Sequence, residues 1–183
     1  MDFEIDKAIK FASVAHKEQT RKGSNVPYIS HLFAVALLLK DFGATKEQLM
    51  AGILHDTIED TDVSYEDIER EFGKTVADYV ESCSEVDLQD SWDLRKQQLI
   101  DGLHKAPPEV LLIVCADKIH NLMSIENDLK SIGEAVWDKF GKGRESQEWY
   151  YRELLKVISE KGNPLKQDYF DRLKRKIEDV FGR

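Results

Sequence analysis

Residues 108–128 read Pro-Glu-Val-Leu-Leu-Ile-Val-Cys-Ala-Asp-Lys-Ile-His-Asn-Leu-Met-Ser-Ile-Glu-Asn-Asp, an apolar run that ends abruptly in charged side chains. The Pro107-Pro108 pair supplies a break followed by a helix start, because proline suits the first position of a helix. We therefore predict a helix over 108–128. Asp117 directly follows the apolar residues, and a carboxylate on a buried helix face is costly unless it is paired, hydrogen-bonded or bound to a metal.

Helix signals recur along the rest of the chain, whereas strand signals are nearly absent. Thr45 with Gln48, and Ser64 with Asp67, have the spacing of a capping box. Ser30 is a candidate N-cap, and Gly162-Asn-Pro164 is a candidate helix stop. The predicted helices are 6–19, 30–42, 45–55, 64–72, 75–84, 92–105, 108–128, 146–161 and 168–181, with an acidic loop at 85–90 and a turn region at 137–143. The fold class is all-α, a helical bundle.

Composition sets limits on the class of protein. The 183 residues suit one domain that can bury a core without a disulfide or a structural metal, and a hydrophobic fraction of 42% excludes a disordered or low-complexity chain. Cys83 and Cys115 do not make a disulfide scaffold. A net charge of −9 disfavours nucleic acid as a partner, because phosphate neutralisation needs a basic face.

Two features of the sequence bear on location. The N-terminal stretch Met1-Asp-Phe-Glu-Ile-Asp-Lys7 is acidic and lacks the apolar region of a signal peptide. The longest wholly apolar run, residues 32–39, is far shorter than the roughly 20 residues that span a membrane. We expect a cytoplasmic protein without a membrane partner.

A second apolar run that ends in charge is Ala51-Gly-Ile-Leu-His55-Asp56, followed by Thr-Ile-Glu59-Asp60. In a continuous helix His55 would lie above Glu59 and Asp56 above Asp60, so four titratable groups would share a narrow sector. A frayed, acidic helix end is the simpler interpretation, and a salt bridge is the commoner explanation of one buried carboxylate. Two such carboxylates, one beside a histidine, favour a bound cation.

The five histidines are not equivalent candidates. His31 opens an apolar helix and could reach His55-Asp56, which makes His31, His55, Asp56 and Asp117 a mixed nitrogen and oxygen ligand set. Such a set suits Mn²⁺, Fe²⁺ or Zn²⁺ better than Ca²⁺. His16 is expected to pack or cap and His104 to be solvated, while His120 is either a further ligand or faces away.

The spacing of these residues resembles the H…HD…D signature of the HD-domain metal-dependent phosphohydrolases. The surrounding motifs are more specific, and together they resemble the guanosine-polyphosphate 3′-pyrophosphohydrolases, that is, the hydrolase domain of RelA/SpoT homologues and the small alarmone hydrolases. The resemblance covers about residues 5–160. Its main motifs are His16-Lys-Glu-Gln-Thr-Arg21-Lys22-Gly23, Pro27-Tyr-Ile-Ser-His31, Leu54-His-Asp-Thr-Ile-Glu-Asp-Thr61 and Ala116-Asp-Lys-Ile-His-Asn-Leu122.

The resemblance implies roles for individual residues. It implies an HD domain over 1–160 and a C-terminal helical appendage over 161–183 that packs on the same domain. It implies Mn²⁺ as the cofactor, held by His31, His55, Asp56 and Asp117. The implied catalytic pair is Glu59 and Asp60, and the implied substrate contacts are Arg21, Lys22, Tyr28 and Asn121, with the guanine near the last two.

The residue types are consistent with these roles, although each has an ordinary explanation. Glu59 can orient or deprotonate a water molecule, assisted by Asp60. Arg21 and Lys22 can neutralise a pyrophosphate, or they form a solvated basic turn. The weaker basic candidates are Arg95, Lys96, Lys118 and Arg144. Tyr28, Trp149 and Tyr150 can stack on a base, or they belong to the core.

Three functions remain open at this point. The leading hypothesis is a Mn²⁺-dependent hydrolase that removes the 3′-pyrophosphate from (p)ppGpp. The alternatives are an HD-type nucleotide phosphatase that acts on another substrate such as NADPH, and a non-catalytic nucleotide sensor. Because the length leaves no room for a synthetase domain, we expect no alarmone synthesis. The sequence leaves homo-oligomerisation open.

Overall fold

A computed structural model of the chain describes residues 2–85, 89–161 and 167–182. Within these ranges the chain forms helices and no strand, apart from an isolated bridge between Thr20 and Pro27, so the prediction of an all-α fold is confirmed. The elements are α1 (Phe3–Ala15), α2 (Ile29–Asp41), α3 (Lys46–Leu54), α4 (Thr57–Asp60), α5 (Tyr65–Phe72), α6 (Lys74–Cys83), α7 (Trp92–Leu103), α8 (Pro108–Ile132), a 3₁₀ helix (Gly133–Lys139), α9 (Arg144–Glu160) and α10 (Gln167–Phe181).

The predicted caps are local signals and most of them are confirmed. Thr45 and Ser64 each form a complete capping box at the start of α3 and α5. Pro108 begins α8, which continues one turn beyond its predicted end and stops at Gly133 with φ +61°. The N-cap assigned to Ser30 is wrong: α2 begins at Ile29, and the Ser30 hydroxyl donates to the Pro27 carbonyl at 2.8 Å.

The predicted helix over 45–55 ends one residue early, and residues 55–60 do not continue it as one helix. Helix α3 ends at Leu54, His55-Asp56 forms a turn, and α4 is a single turn of four residues. The Thr57 hydroxyl donates to the Leu54 carbonyl at 2.5 Å and satisfies a helix-terminal acceptor at this break. His55 and Asp56 therefore do not share one continuous helix with Glu59 and Asp60, as the spacing argument had assumed.

Helix α8 is the central element, and it packs against α2, α3, α6 and α10. Every residue from 110 to 117 is buried, so α8 is surrounded on all sides over this stretch. Burying a leucine or isoleucine side chain contributes about 1.5–3 kcal/mol. The same burial forces Asp117 into the interior.

Helix α10 is integrated into this core. The Tyr169 hydroxyl hydrogen-bonds the Phe42 carbonyl, and the buried Cys115 thiol lies 3.7 Å from the Tyr169 carbonyl oxygen. Lys176 pairs with Glu126 of α8 at 2.6 Å. The predicted helix stop at 162–164 and positions 86–88 of the acidic loop lie outside the described ranges. No helix of the described part is both long and apolar enough for a membrane span.

A glycine inside the core gives a test of this packing. A Cβ at Gly52 of α3 would lie 2.1 Å from Cδ1 of Leu39, so Gly52→Ala overpacks the α2–α3 interface. We expect a loss of about 1–3 kcal/mol in the free energy of unfolding, measured by urea denaturation.

The matched control is Gly102→Ala in α7, where an added Cβ meets no atom within 4 Å. Alanine is the better helix former, so this variant should be unchanged or more stable by up to about 1 kcal/mol. Equal stability of the two variants would contradict the packing described for Gly52.

Candidate functional site

Two histidines and a carboxylate from separate elements converge in the interior. His31 of α2, His55 after α3 and Asp117 of α8 each place one ligand atom within 4.8 Å of the other two. Oδ1 of Asp117 lies 3.1 Å from Nε2 of His31 and 3.6 Å from Nε2 of His55. The three side chains are almost fully buried.

Asp56 joins this group from the turn between α3 and α4. Its Oδ2 lies 3.1 Å from Nε2 of His55 and 3.7 Å from Nε2 of His31. The structure thus brings together all four residues that the sequence offered as metal ligands. We call His31, His55, Asp56 and Asp117 the HD cluster.

The donor chemistry of the HD cluster fits a cation. Nδ1 of His55 lies 2.9 Å from the Gly52 carbonyl, and because a carbonyl only accepts, Nδ1 carries the proton. In the neutral ring Nε2 is then a lone pair that faces the oxygens of Asp56 and Asp117. This Nε2 is buried and makes no hydrogen bond within the described residues. Acceptors that face one another in a dry site need a positive charge between them, and a divalent metal supplies it.

Electrostatics shows that the HD cluster attracts positive charge, as a proton on His55 or as a bound cation. Burial disfavours the charged imidazolium, but the negative charge of Asp56 and the neighbouring Asp117 carboxylate hold the pKa of His55 well above its ordinary value. Burial also opposes the charge of Asp117, yet the Lys118 ammonium and the nearby His31 and His55 rings keep the pKa of this carboxyl well below its usual range. The carboxylate is therefore ionised and retains positive charge around it.

Polar side chains fix the orientation of Asp117. Lys118 donates to its Oδ2 at 2.6 Å, and the Asn121 amide donates to its Oδ1 at 2.6 Å. The Asn121 oxygen in turn accepts from the Arg21 guanidinium at 2.9 Å. Two of the predicted substrate contacts, Arg21 and Asn121, thus form a hydrogen-bonded chain that ends on the HD cluster.

Tyr28 supports the HD cluster in a similar way. Its hydroxyl donates to Oδ2 of Asp56 at 2.7 Å, and burial together with Asp56 raises the pKa of Tyr28, so it stays a donor. Its ring stacks on His16 with centroids 5.2 Å apart, and the Arg21 guanidinium lies 5.3 Å from the ring centroid. These contacts tie Tyr28 to Asp56, and a guanine site beside Tyr28 stays a prediction.

The adjacent carboxylates Glu59 and Asp60 have different surroundings. Oε2 of Glu59 accepts from the backbone N–H of Glu85 at 3.1 Å, and Glu59 lines a cleft beside the HD cluster. Burial, followed by the nearby charge of Glu85, raises the pKa of Glu59 to about 7. Asp60 does not line the cleft; burial and Asp56 raise its pKa, and its side chain lies beside Tyr28.

The cleft has a volume of about 860 Å³, within the usual range for a small-molecule site. Four of its lining residues also contact the HD cluster, so the two adjoin: Tyr28, Lys118, His120 and Asn121. Its walls carry six basic side chains against three acidic ones, in a protein of net charge −9. The basic residues are Arg21, Lys22, Arg95, Lys96, Lys118 and Lys139.

Ion pairing separates these cations into two groups. Arg95 and Lys96 both pair with Glu85, Lys118 pairs with Asp117, and Lys139 pairs with Asp128. Arg21 and Lys22, by contrast, form no ion pair with any residue of the described ranges, and the Lys22 ammonium lies 5.5 Å from the ring centroid of Phe140. Their charge is therefore available to an anion in the cleft.

The weaker basic and aromatic candidates for substrate contact differ in whether they line the cleft. Arg144 does not line the cleft, and its guanidinium donates to the Phe181 carbonyl at 3.0 Å. Trp149 packs on Trp92 and does not line the cleft. Tyr150 does line it, with the Lys96 and Lys118 ammonium groups 4.9 and 5.6 Å from its ring centroid.

The three histidines outside the HD cluster lie in different environments. His104 is exposed, as expected, and His16 is buried with Nδ1 at 2.7 Å from Oε1 of Gln19. His120 faces the HD cluster, with its Nδ1 2.7 Å from Nδ1 of His31. Burial, together with His31 and Arg21, lowers the pKa of His120 to about 4.

Glu85 is the residue that sequence reasoning missed. It contacts Glu59 through its backbone and binds Arg95 and Lys96 through its side chain. The sequence places it only in an acidic loop. The basic pair 95–96 lies 10 and 11 positions further along the chain, and it reaches Glu85 only once α6 and α7 pack together.

Comparisons with known proteins agree with this geometry. The HD domain family model matches residues 8–144. The crystal structure of lmo0812 from Listeria monocytogenes EGD-e is 34% identical and superposes with a TM-score of 0.76, over 86% of this chain and 97% of that one. The structure of a metazoan ortholog of SpoT that hydrolyses ppGpp is 25% identical, with a TM-score of 0.79 over 100% of this chain and 98% of that one.

Longer curated proteins match as well. The bifunctional (p)ppGpp synthase/hydrolase SpoT of Escherichia coli K12 is 39% identical over 127 residues, which are 66% of this chain and 18% of that protein. The GTP pyrophosphokinase of Streptomyces coelicolor is 33% identical over 159 residues, 85% of this chain and 17% of that protein. The chain thus spans less than a fifth of the length of these relatives.

The HD cluster can be tested by metal content. We expect the purified protein to retain a divalent transition ion, and we expect His55→Ala and Asp117→Ala to lose it, because each removes a ligand and leaves the other groups unpaired. The measurement is elemental analysis by mass spectrometry after gel filtration, with helicity checked by circular dichroism.

His104→Ala is the matched control, since His104 is an exposed histidine distant in sequence from the cluster. This variant should keep the metal content of the wild type. Stoichiometric metal in both cluster variants would contradict the assignment of His55 and Asp117 as metal ligands.

Proposed function

The chain belongs to the HD-domain family, and from that premise we propose that it is a Mn²⁺-dependent hydrolase that removes the 3′-pyrophosphate from (p)ppGpp and yields GDP or GTP and pyrophosphate. The observation that carries the proposal is the HD cluster beside a basic cleft that Glu59 lines, with Arg21 and Lys22 in no ion pair with any described residue. Similarity to an ortholog of SpoT that hydrolyses ppGpp supports the choice of substrate.

The HD cluster would hold the metal ion. His31, His55, Asp56 and Asp117 offer two imidazole nitrogens and two carboxylates, a set that suits Mn²⁺, Fe²⁺ or Zn²⁺. Among these ions we choose Mn²⁺ because the resemblance to the guanosine-polyphosphate 3′-pyrophosphohydrolases implies it. When bound, the ion supplies Lewis acidity that lowers the pKa of a water molecule and polarises a phosphoryl oxygen. The chain keeps its ligands oriented through Gly52 at His55, Tyr28 at Asp56 and Asn121 at Asp117.

We assign to Glu59 the role of general base. A carboxyl with a pKa of about 7 exchanges protons readily at neutral pH, and the Glu85 N–H at 3.1 Å fixes one of its oxygens. Its other oxygen is then free to take a proton from the attacking water. Asp60 lies off the cleft beside Tyr28, and we assign to it the positioning of Tyr28 and Asp56.

The cleft cations bind the anionic substrate. Arg21 is held by Asn121 through one of its N–H groups, and its remaining donors can reach a phosphate in the cleft. Lys22 adds a second positive charge from the same loop. A cleft that is basic in an acidic protein favours a compact, highly charged nucleotide over a long polyanion.

The products decide between the candidate reactions. With Mn²⁺ present, ppGpp and NADPH are offered separately and the products are resolved by ion-exchange chromatography. We expect GDP and pyrophosphate from ppGpp, without orthophosphate. Orthophosphate from NADPH with ppGpp untouched would establish the phosphatase alternative, and nucleotide binding without turnover would establish the sensor.

The role of Glu59 generates a prediction about rate and pH. Because the base must be unprotonated, wild-type kcat/KM should rise as the pH increases through about 7, the pKa of Glu59. Glu59→Gln should retain metal and fold, lose about 10²-fold or more in kcat, and lose this pH step. The measurement is a kcat/KM profile from pH 5.5 to about 9.

Glu69→Gln in α5 is the matched control, because Glu69 is an exposed carboxylate that does not line the cleft. Its rate and pH profile should equal those of the wild type. Near-normal turnover of the Glu59 variant would transfer the proton-accepting role to another group.

Substrate binding generates a further prediction. Arg21→Ala and Lys22→Ala should chiefly raise KM for ppGpp, by about 1.5–3 kcal/mol for each lost charge-assisted hydrogen bond, or roughly 10- to 10²-fold. Lys17 is an exposed lysine of the same segment, and Lys17→Ala removes the same charge as the other two variants. This control should leave KM unchanged. An unchanged KM in the Arg21 and Lys22 variants would place the pyrophosphate elsewhere.

A further inference from the structure

His120 occupies a position between the HD cluster and the cleft. Its Nδ1 lies 2.7 Å from Nδ1 of His31, which is a hydrogen-bonding distance, and the ring centroids are 4.9 Å apart. The side chain also lines the cleft. Its Nε2 makes no hydrogen bond within the described residues and is not among their buried unpartnered atoms.

A hydrogen bond between two Nδ1 atoms contains one proton, so the two rings must hold opposite roles. Nε2 of His31 faces Oδ1 of Asp117 at 3.1 Å and Oδ2 of Asp56 at 3.7 Å. When that Nε2 binds a cation its lone pair is engaged, and the proton of His31 must lie on Nδ1. The acceptor of the bond is then Nδ1 of His120.

We propose that His120 is a positioning residue whose unprotonated Nδ1 accepts the Nδ1–H of His31 and so aims the Nε2 lone pair of His31 at the cation. It does for His31 what the Gly52 carbonyl does for His55. Partners of this kind orient metal-binding histidines and raise their basicity. The inference rests on the proposed function only in requiring a metal in the HD cluster.

The proposal also determines which nitrogen of His120 carries its own proton. Since its Nδ1 is the acceptor, the neutral ring carries its proton on Nε2, which belongs to the side of the ring away from His31. A carbonyl partner would leave no such donor. His120 thus fixes a metal ligand with one edge and keeps an N–H for the cleft with the other.

Two substitutions separate this role from simple packing. In His120→Asn the amide oxygen takes approximately the place of Nδ1 and can still accept from His31, although the ring is lost. In His120→Phe the ring volume is retained and the acceptor is lost. A packing role predicts that phenylalanine is the milder change, whereas the positioning role predicts that asparagine is.

The measurement is Mn²⁺ affinity, obtained by titrating the metal-free protein and reading free Mn²⁺ from its EPR signal. We expect His120→Phe to weaken Mn²⁺ binding by about 10–100-fold and His120→Asn to remain within a few-fold of the wild type. Wild-type affinity in His120→Phe, or equal weakening in both variants, would overturn the proposal. Failure of the wild type itself to bind Mn²⁺ would instead overturn the metal site.

The hydrogen bond can also be observed directly. Protein labelled with ¹⁵N-histidine and loaded with diamagnetic Zn²⁺ should show a scalar coupling between the Nδ1 atoms of His31 and His120, with the proton bonded to His31. The signal assigned to this pair should be absent in His120→Phe. A proton bonded to Nδ1 of His120 in the metal-loaded protein would contradict the assigned direction.

Discussion

The structure depends on a carboxylate held in its interior. Asp117 is buried because the seven residues before it on α8 are buried, and an unpaired charge at that depth would be strongly destabilising. The charge of Asp117 is compensated by its neighbour Lys118 and by groups on other elements, namely His31 on α2 and His55 after α3. The same charge that α8 forces into the core therefore holds the start of α2 and the end of α3 against the interior of α8. It leaves two imidazole nitrogens directed at carboxylate oxygens, the arrangement a cation completes.

Hydrogen bonds extend this constraint from the HD cluster to the cleft. Asn121 lies one helical turn after Asp117, donates to it, and accepts from Arg21, whose loop precedes α2. Arg21 is thus coupled through Asn121 to a residue of the HD cluster. The positive charge of the cleft is local, since the chain as a whole is acidic, and three of its six cations, Arg95, Lys96 and Lys118, pair with Glu85 or Asp117.

Sequence could predict those features that depend on near neighbours or on the burial of charge. The caps at Thr45 and Ser64 were predictable because a capping box lies within four residues, and Asp117 was predictable because a carboxylate ends an apolar run. The turn at His55-Asp56 was not, since α-helical spacing alone does not show where one helix stops and the next begins. Glu85 was not either, because its contact with Glu59 joins residues 26 positions apart, and that separation closes only through tertiary packing.

Glu59 and Asp60 show why the sequence alone does not tell which of two adjacent carboxylates faces the cleft. The two carboxylates are adjacent on a helix of a single turn, so their directions differ by about 100°. One direction leads to the cleft, where burial and Glu85 hold the Glu59 carboxyl close to its point of titration. The other leads toward the Tyr28 hydroxyl, and the Asp60 side chain does not line the cleft. Chemically similar neighbours therefore have different surroundings, and the break at His55-Asp56, which sets the rotation of α4, decides which of the two faces the cleft.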